Sequence, residues 1–144
     1  MARQCGGCTV CCTITRVPEL GKREYSPCHY CDHGCTIYKQ RPLSCRKFEC
    51  AWLKGDLPRR MRPDKAHVMI EHLPGGKVVA ALPEPGYEDT WDAPKVMRAL
   101  HDQYIRKGIG VYANKGRVLA PPSTTAKAVA KDFVEAAKRM GVVR

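Results

Sequence analysis

"CGGCTVCC", residues 5–12, places four of the chain's nine cysteines within eight residues. Cys5, Cys8, Cys11 and Cys12 are followed by Cys28, Cys31, Cys35, Cys45 and Cys50, so all nine fall in the first fifty of 144 residues. That third of the chain offers little bulk besides Ile14, Val17, Leu20, Ile37, Leu43, Phe48, Tyr25, Tyr30, Tyr38 and Trp52. So few apolar side chains do not balance the conformational entropy of the segment. Cross-links through sulfur are expected to supply the difference.

The cross-link is either a disulfide or a metal. No apolar run follows Arg3, so no secretory signal is read, and no stretch approaches the roughly eighteen apolar residues of a membrane span. A cytoplasmic protein is expected, in a compartment where disulfides are rare. The odd number of cysteines and the adjacent pair Cys11 and Cys12 also suit ligation better than bridging. Metal is the preferred reading.

CxxC spacing occurs at Cys5/Cys8, Cys8/Cys11 and Cys28/Cys31. It sets two sulfurs on a tight turn whose backbone amides hydrogen-bond the thiolates. Cys5, Cys8, Cys28 and Cys31 match a four-cysteine zinc pattern, with Cys12, Cys35, Cys45 and Cys50 as a second site and Cys11 spare or bridging. The CxxCxxC run equally suits an iron–sulfur cluster, although Cys12 follows directly where ferredoxins leave three residues. Thiolate softness does not choose between one to three zinc ions and a cluster. One or two of the nine are expected to be plain buried hydrophobes. His29 and His33 flank ligand positions without being needed as ligands.

"CGGCTVCC" followed by "CHYCDHGCTIYKQRPLSCRKFECAW", ending at Trp52, resembles the YkgJ-type cysteine-cluster family, a zinc- or iron-chelating domain whose signature is CxxCxxCC followed by GCxIYxxRPxxCRxF. "LPRRMRPDKAHV" and "PGYEDTW" resemble the downstream half of some members. The resemblance implies metal chelation by Cys5, Cys8, Cys11, Cys12, Cys31, Cys35 and Cys45. Cys28 and Cys50 are less regular in that family. Its relation to flagellin lysine methylases favours iron–sulfur, although this chain is far shorter.

Within the motif, Pro42 is expected to open a short helix after the extended "CTIY". Leu43, Phe48 and Trp52 would then share a face. Arg41 and Arg46 can offset thiolate charge, or simply sit in solvent.

Outward from the cysteines, "KGDLPRRMRPDK" (54–65) reads as a basic connector that ends a first module at residue 53. Beyond it, "HVMIEHL" and "KVVAALP" predict a hairpin around Pro74, Gly75 and Gly76. "APKVMRALHDQYIRKG" predicts a helix capped by Asp92 and stopped by Gly108, with Val96, Met97, Leu100 and Tyr104 on one face. A second hairpin is expected around Asn114, Lys115 and Gly116. "STTAKAVAKDFVEAAKRMG" predicts a helix with Val129, Ala130, Phe133, Val134, Ala137 and Met140 as its stripe and Gly141 as its stop.

The expected fold is α+β, with a metal-stapled cysteine module (1–53) joined through residues 54–66 to a small antiparallel sheet with two helices (67–144), or integrated with it. "PGGK" joins two strands and opens no helix, so it is a turn and not a phosphate loop. His67, His72 and His101 have no acid–nucleophile company, Trp91 and Tyr87 read as core, and no catalytic constellation is evident.

The formal net charge of +11 assumes neutral cysteines, and two four-thiolate zinc sites would leave about +7. Arg59, Arg60 and Arg62 form the local peak, so a metal-stapled nucleic-acid-binding module is the alternative function. No base-reading helix supports it. The sequence identifies no protein partner.

Overall fold

Two hairpins and the helix between them form the centre of the protein. The computed structural model describes residues 3, 8–89, 93–113 and 117–140. Cys5, Trp91, the expected cap Asp92, the turn at 114–116 and the expected stop Gly141 lie outside the described residues.

β1 (Val68–His72) and β2 (Val78–Pro83) pair antiparallel, Val68 opposite Pro83 and His72 opposite Val79. β3 (Gly110–Ala113) and β4 (Val118–Leu119) also pair antiparallel. The sheet order is β1-β2-β3-β4. It is α+β as the sequence indicates, but mixed instead of wholly antiparallel, because β2 and β3 run parallel with Val78 opposite Gly110. The cause is α4 (Pro94–Gln103), which crosses over between them and returns the chain in the same direction.

β2 is buried on both faces, as its continuous apolar run requires. Val79 and Ala81 face Val96, Ala99, Leu100 and Tyr104 from the α4 side. Val78 and Ala80 face α5 (Ala126–Arg139). α4 starts at Pro94, runs into a 3-10 turn and ends on Gly108 at φ 81°, a left-handed position that suits glycine. Thr125 caps α5, its Oγ1 accepting the Ala128 N–H at 3.1 Å.

The buried stripe of α5 is narrower than its sequence suggests. Val129, Ala136 and Ala137 are buried, and Phe133 stacks on Tyr112 with ring centroids 3.7 Å apart. Val134 and Met140 are 39% and 38% exposed. At about 100° per residue, Val134 turns well away from the line through Val129, Phe133 and Ala136.

Where β3 meets α5, Gly110 has no room for a side chain. A Cβ there would lie 2.6 Å from both γ-methyls of Val129. Gly110→Ala is therefore expected to destabilise the protein by about 1–3 kcal/mol through overpacking, measured as a lowered midpoint in chemical denaturation. Gly110→Ala with Val129→Ala should recover part of the loss.

The main core does not respect the expected boundary at residue 53. α1 (Val10–Ile14) contributes Val10 and Ile14, and Ala51, Trp52, Leu57 and Met61 join the same cluster as Val68, Met69 and Ile70. The Ala51 N–H donates to Ile70 O at 2.8 Å, fastening this stretch to β1. The 54–66 segment, which ends in the short helix α3 (Pro63–Ala66), is thus packed through Leu57 and Met61, not only a basic connector. Between residues 18 and 49, by contrast, Lys22 is the one buried residue.

Candidate functional site

The segment without a core carries four of the nine cysteines, Cys28, Cys31, Cys35 and Cys45, and local backbone geometry folds it up. Val10 and Ile14 anchor α1 by its apolar side, leaving Cys11 and Cys12 half-buried at the surface of the core. The Cys31 N–H donates to Cys28 O at 3.1 Å, closing the CxxC turn. Cys31 and Cys35 then form an isolated antiparallel bridge, with His33 at φ 56° and Gly34 at φ 148° turning the chain between them.

α2 (Leu43–Lys47) brings up Cys45. Pro42 sits at its N-cap, one residue before the first helical position. Glu19 fixes the start of α2 by accepting from the Ser44 N–H at 2.8 Å and Ser44 Oγ at 2.6 Å, which holds its carboxyl below the usual range. Leu43 is half exposed and does not share a buried face with Trp52. The helix is too short for that, giving way to extended backbone at Phe48.

Seven of the eight described cysteines, all except Cys31, line one cavity of about 1270 Å³. All eight are free thiols. Cys12 is hydrogen-bonded to Cys11 and to Cys31. The bond to Cys11 holds the Cys12 proton, and with burial and the nearby sulfur it pushes that thiol well above its ordinary range. Burial raises Cys31, with Cys12 adding to the effect, and burial followed by Cys28, Cys12 and Cys35 raises Cys45. These six sulfurs therefore crowd one another. Contact between Cys12 and Cys31 also joins two cysteines that spacing assigns to separate sites.

Lys22 is the cation among them. It is only 8% exposed, and its Nζ donates to the carbonyls of Thr13 at 3.0 Å, Arg23 at 3.1 Å and Thr15. Burial lowers its pKa, while Cys28, Cys12 and Cys11 pull it back up. The two arginines favoured by sequence are placed differently. Arg41 stacks on the Tyr38 ring at 3.8 Å and donates to Tyr38 O, and Arg46 is exposed. Sequence reasoning passed over Lys22 because nothing local marks a lysine as buried. Two of the carbonyls it satisfies, those of Thr13 and Thr15, are left free because α1 ends there.

Cys50 stands apart from this group. It is 8% exposed within the main core, and its sulfur accepts backbone N–H bonds from Leu53 and Trp52 while burial raises its pKa. His29 lies edge-on to Tyr30, and the His33 side chain is wholly exposed. His67 stacks on Tyr87 with Nδ1 2.7 Å from Glu84, and His72 Nε2 lies 2.6 Å from Asp56. These latter two are paired structural histidines, as their sequence context suggests.

Thiols are soft donors. Among the described residues, however, no three His, Cys, Asp or Glu side chains are already disposed to hold an ion. The basic peak is also smaller than sequence suggests, because Arg62 is engaged with Asp64 through two hydrogen bonds. Among the described residues no helix is long and apolar enough to cross a membrane. No family model, curated protein or solved structure matches the chain.

Proposed function

We propose that the protein binds metal through the thiolates of its N-terminal segment, as a cytoplasmic member of the YkgJ-type cysteine-cluster family. The observation that carries this reading is the crowding of Cys11 and Cys12 of α1 with Cys28, Cys31, Cys35 and Cys45 of a stretch that lacks its own core. Cys12, Cys31 and Cys45, whose pKa values burial and neighbouring sulfurs raise, are poor anions by themselves. A cation changes that balance, and the protons they hold leave as it binds. Lys22 offsets part of the charge that remains.

Cys11, Cys12, Cys28, Cys31, Cys35 and Cys45 are the proposed ligands, with Cys5 and Cys8 completing the set and Cys50 a core residue. Bound zinc would supply a structural cross-link, and an iron–sulfur cluster would add electron transfer. The test is metal analysis and absorption spectroscopy of protein purified anaerobically from its native host. Brown protein with iron and sulfide assigns the cluster. Colourless protein with stoichiometric zinc rejects it. Metal-free protein in which every thiol reacts freely would overturn metal binding altogether.

A further inference from the structure

The cavity holds more than a metal site needs. A sulfur-bound zinc lies about 2.3 Å from its ligands, whereas pockets for small organic ligands run to roughly 300–1,000 Å³. Here about 1270 Å³ extends from the cysteines across the sheet, where Leu73, Ala80 and Leu82 form a floor and Phe133 of α5 a wall. α5 packs over β2, β3 and β4. The β1 end of that face remains open to the cavity.

Glu71 stands in this apolar surface. It pairs with Ala80 in the ladder, so its side chain shares the face of Met69 and Leu73. It is half-buried, and among the described residues no hydrogen bond or ion pair meets its carboxylate. Burial alone holds its pKa above the usual range, with no cation to bring it down. The Tyr25 phenol is near enough to feel its charge. A half-buried carboxyl against an apolar surface is only partly hydrated, and a cation bound there recovers part of the desolvation cost.

We infer that the groove around Glu71 binds a small organic cation with an apolar body, the charged head pairing with the Glu71 carboxylate and the body lying on Leu73, Leu82 and Phe133. Charge complementarity selects the head, and the apolar floor and wall select the body. The site is independent of which metal the cysteines hold. An amidinium suits it well, since its two N–H groups meet a carboxylate side by side.

The test compares benzamidine with its neutral isostere benzamide by calorimetry on the full-length protein as purified. Benzamidine should bind the wild type at least about tenfold more tightly, as a charge-assisted pair implies. Glu71→Gln should remove the preference and leave benzamide binding unchanged. In the wild type, benzamidine should also shift the NMR signals of Leu73, Leu82 and Phe133, a readout that needs no variant. Equal affinities, no binding, or a preference that survives Glu71→Gln would overturn the inference. So would identical shifts produced by zinc alone, which would make Glu71 a metal ligand. Self-association of Glu71→Gln with the preference intact would mark the residue as an inward charge guarding an edge strand and overturn the site.

Discussion

Removing metal, or replacing Cys11 and Cys12 together with serine, is expected to open residues 18–49 to proteases while the sheet stays folded. Only Lys22 is buried across that span, and its regular structure is two 3-10 turns and the five residues of α2. Such a stretch has no independent reason to hold one conformation. Thiolate–metal bonds in small zinc modules contribute about 10–16 kcal/mol of apparent folding free energy, comparable with the roughly 5–15 kcal/mol that stabilises an entire domain. Their loss should dominate every other term in the segment. Trypsin should therefore cut first after Arg23, Lys39, Arg46 and Lys47, with fragments identified by mass spectrometry.

The boundary of the opened region follows from burial and not from the position of the last cysteine. Val10 and Ile14 on one side, and Ala51 and Trp52 on the other, belong to the core that includes β1. They should remain protected when the intervening loop is cut. If stripped protein keeps protected amides throughout 18–49, the cysteines do not staple the segment, and a labile redox or exchange site becomes the better account.

What was legible in sequence divides along the range of the interactions. The hairpin over 68–83, α4, its glycine stop and α5 all follow from local periodicity and turn residues, and the structure contains them. The parallel seam between β2 and β3 was not legible, because it joins strands separated by a helix and depends on how that helix packs. Leu57 and Met61 were hidden by the five basic residues of 54–65, although Lys54, Arg59, Arg60 and Lys65 are exposed and the two apolar side chains are buried.

The candidate site shows the same division. CxxC spacing locates the turn at Cys28 and Cys31, but it does not reveal that Cys12 meets Cys31 or that Cys50 belongs to the core. Glu71 reads in "HVMIEHL" as an ordinary polar residue of a strand. Its place in the cavity depends on how α5 and the cysteine segment pack around that end of the sheet, which is a matter of tertiary packing.

Trp52→Ala is expected to cost about 3–5 kcal/mol, the range for emptying a buried aromatic site. Trp52 is 7% exposed, and its indole N–H donates to Arg59 O at 3.1 Å. The Arg3 guanidinium lies 5.0 Å above the ring and donates to the carbonyls of Trp52 and Leu57 at 2.8 and 2.6 Å. One side chain thus fills the core, satisfies the 3-10 turn at 59–61 and supports the contact with Arg3. Trp52→Phe keeps most of the apolar area but leaves the Arg59 carbonyl without its donor, a loss of about 1 kcal/mol. Leu43→Ala, at a half-exposed position, should change stability by under about 0.5 kcal/mol. Denaturant unfolding of the metal-loaded protein separates the three. Because Trp52 shares its cluster with Val10 and Ile14, and α1 also carries Cys12 and Cys11, the latter packed against that cluster, Trp52→Ala should also weaken metal binding. A variant that loses stability yet retains wild-type metal affinity would show that the core and the cysteine site are mechanically separate.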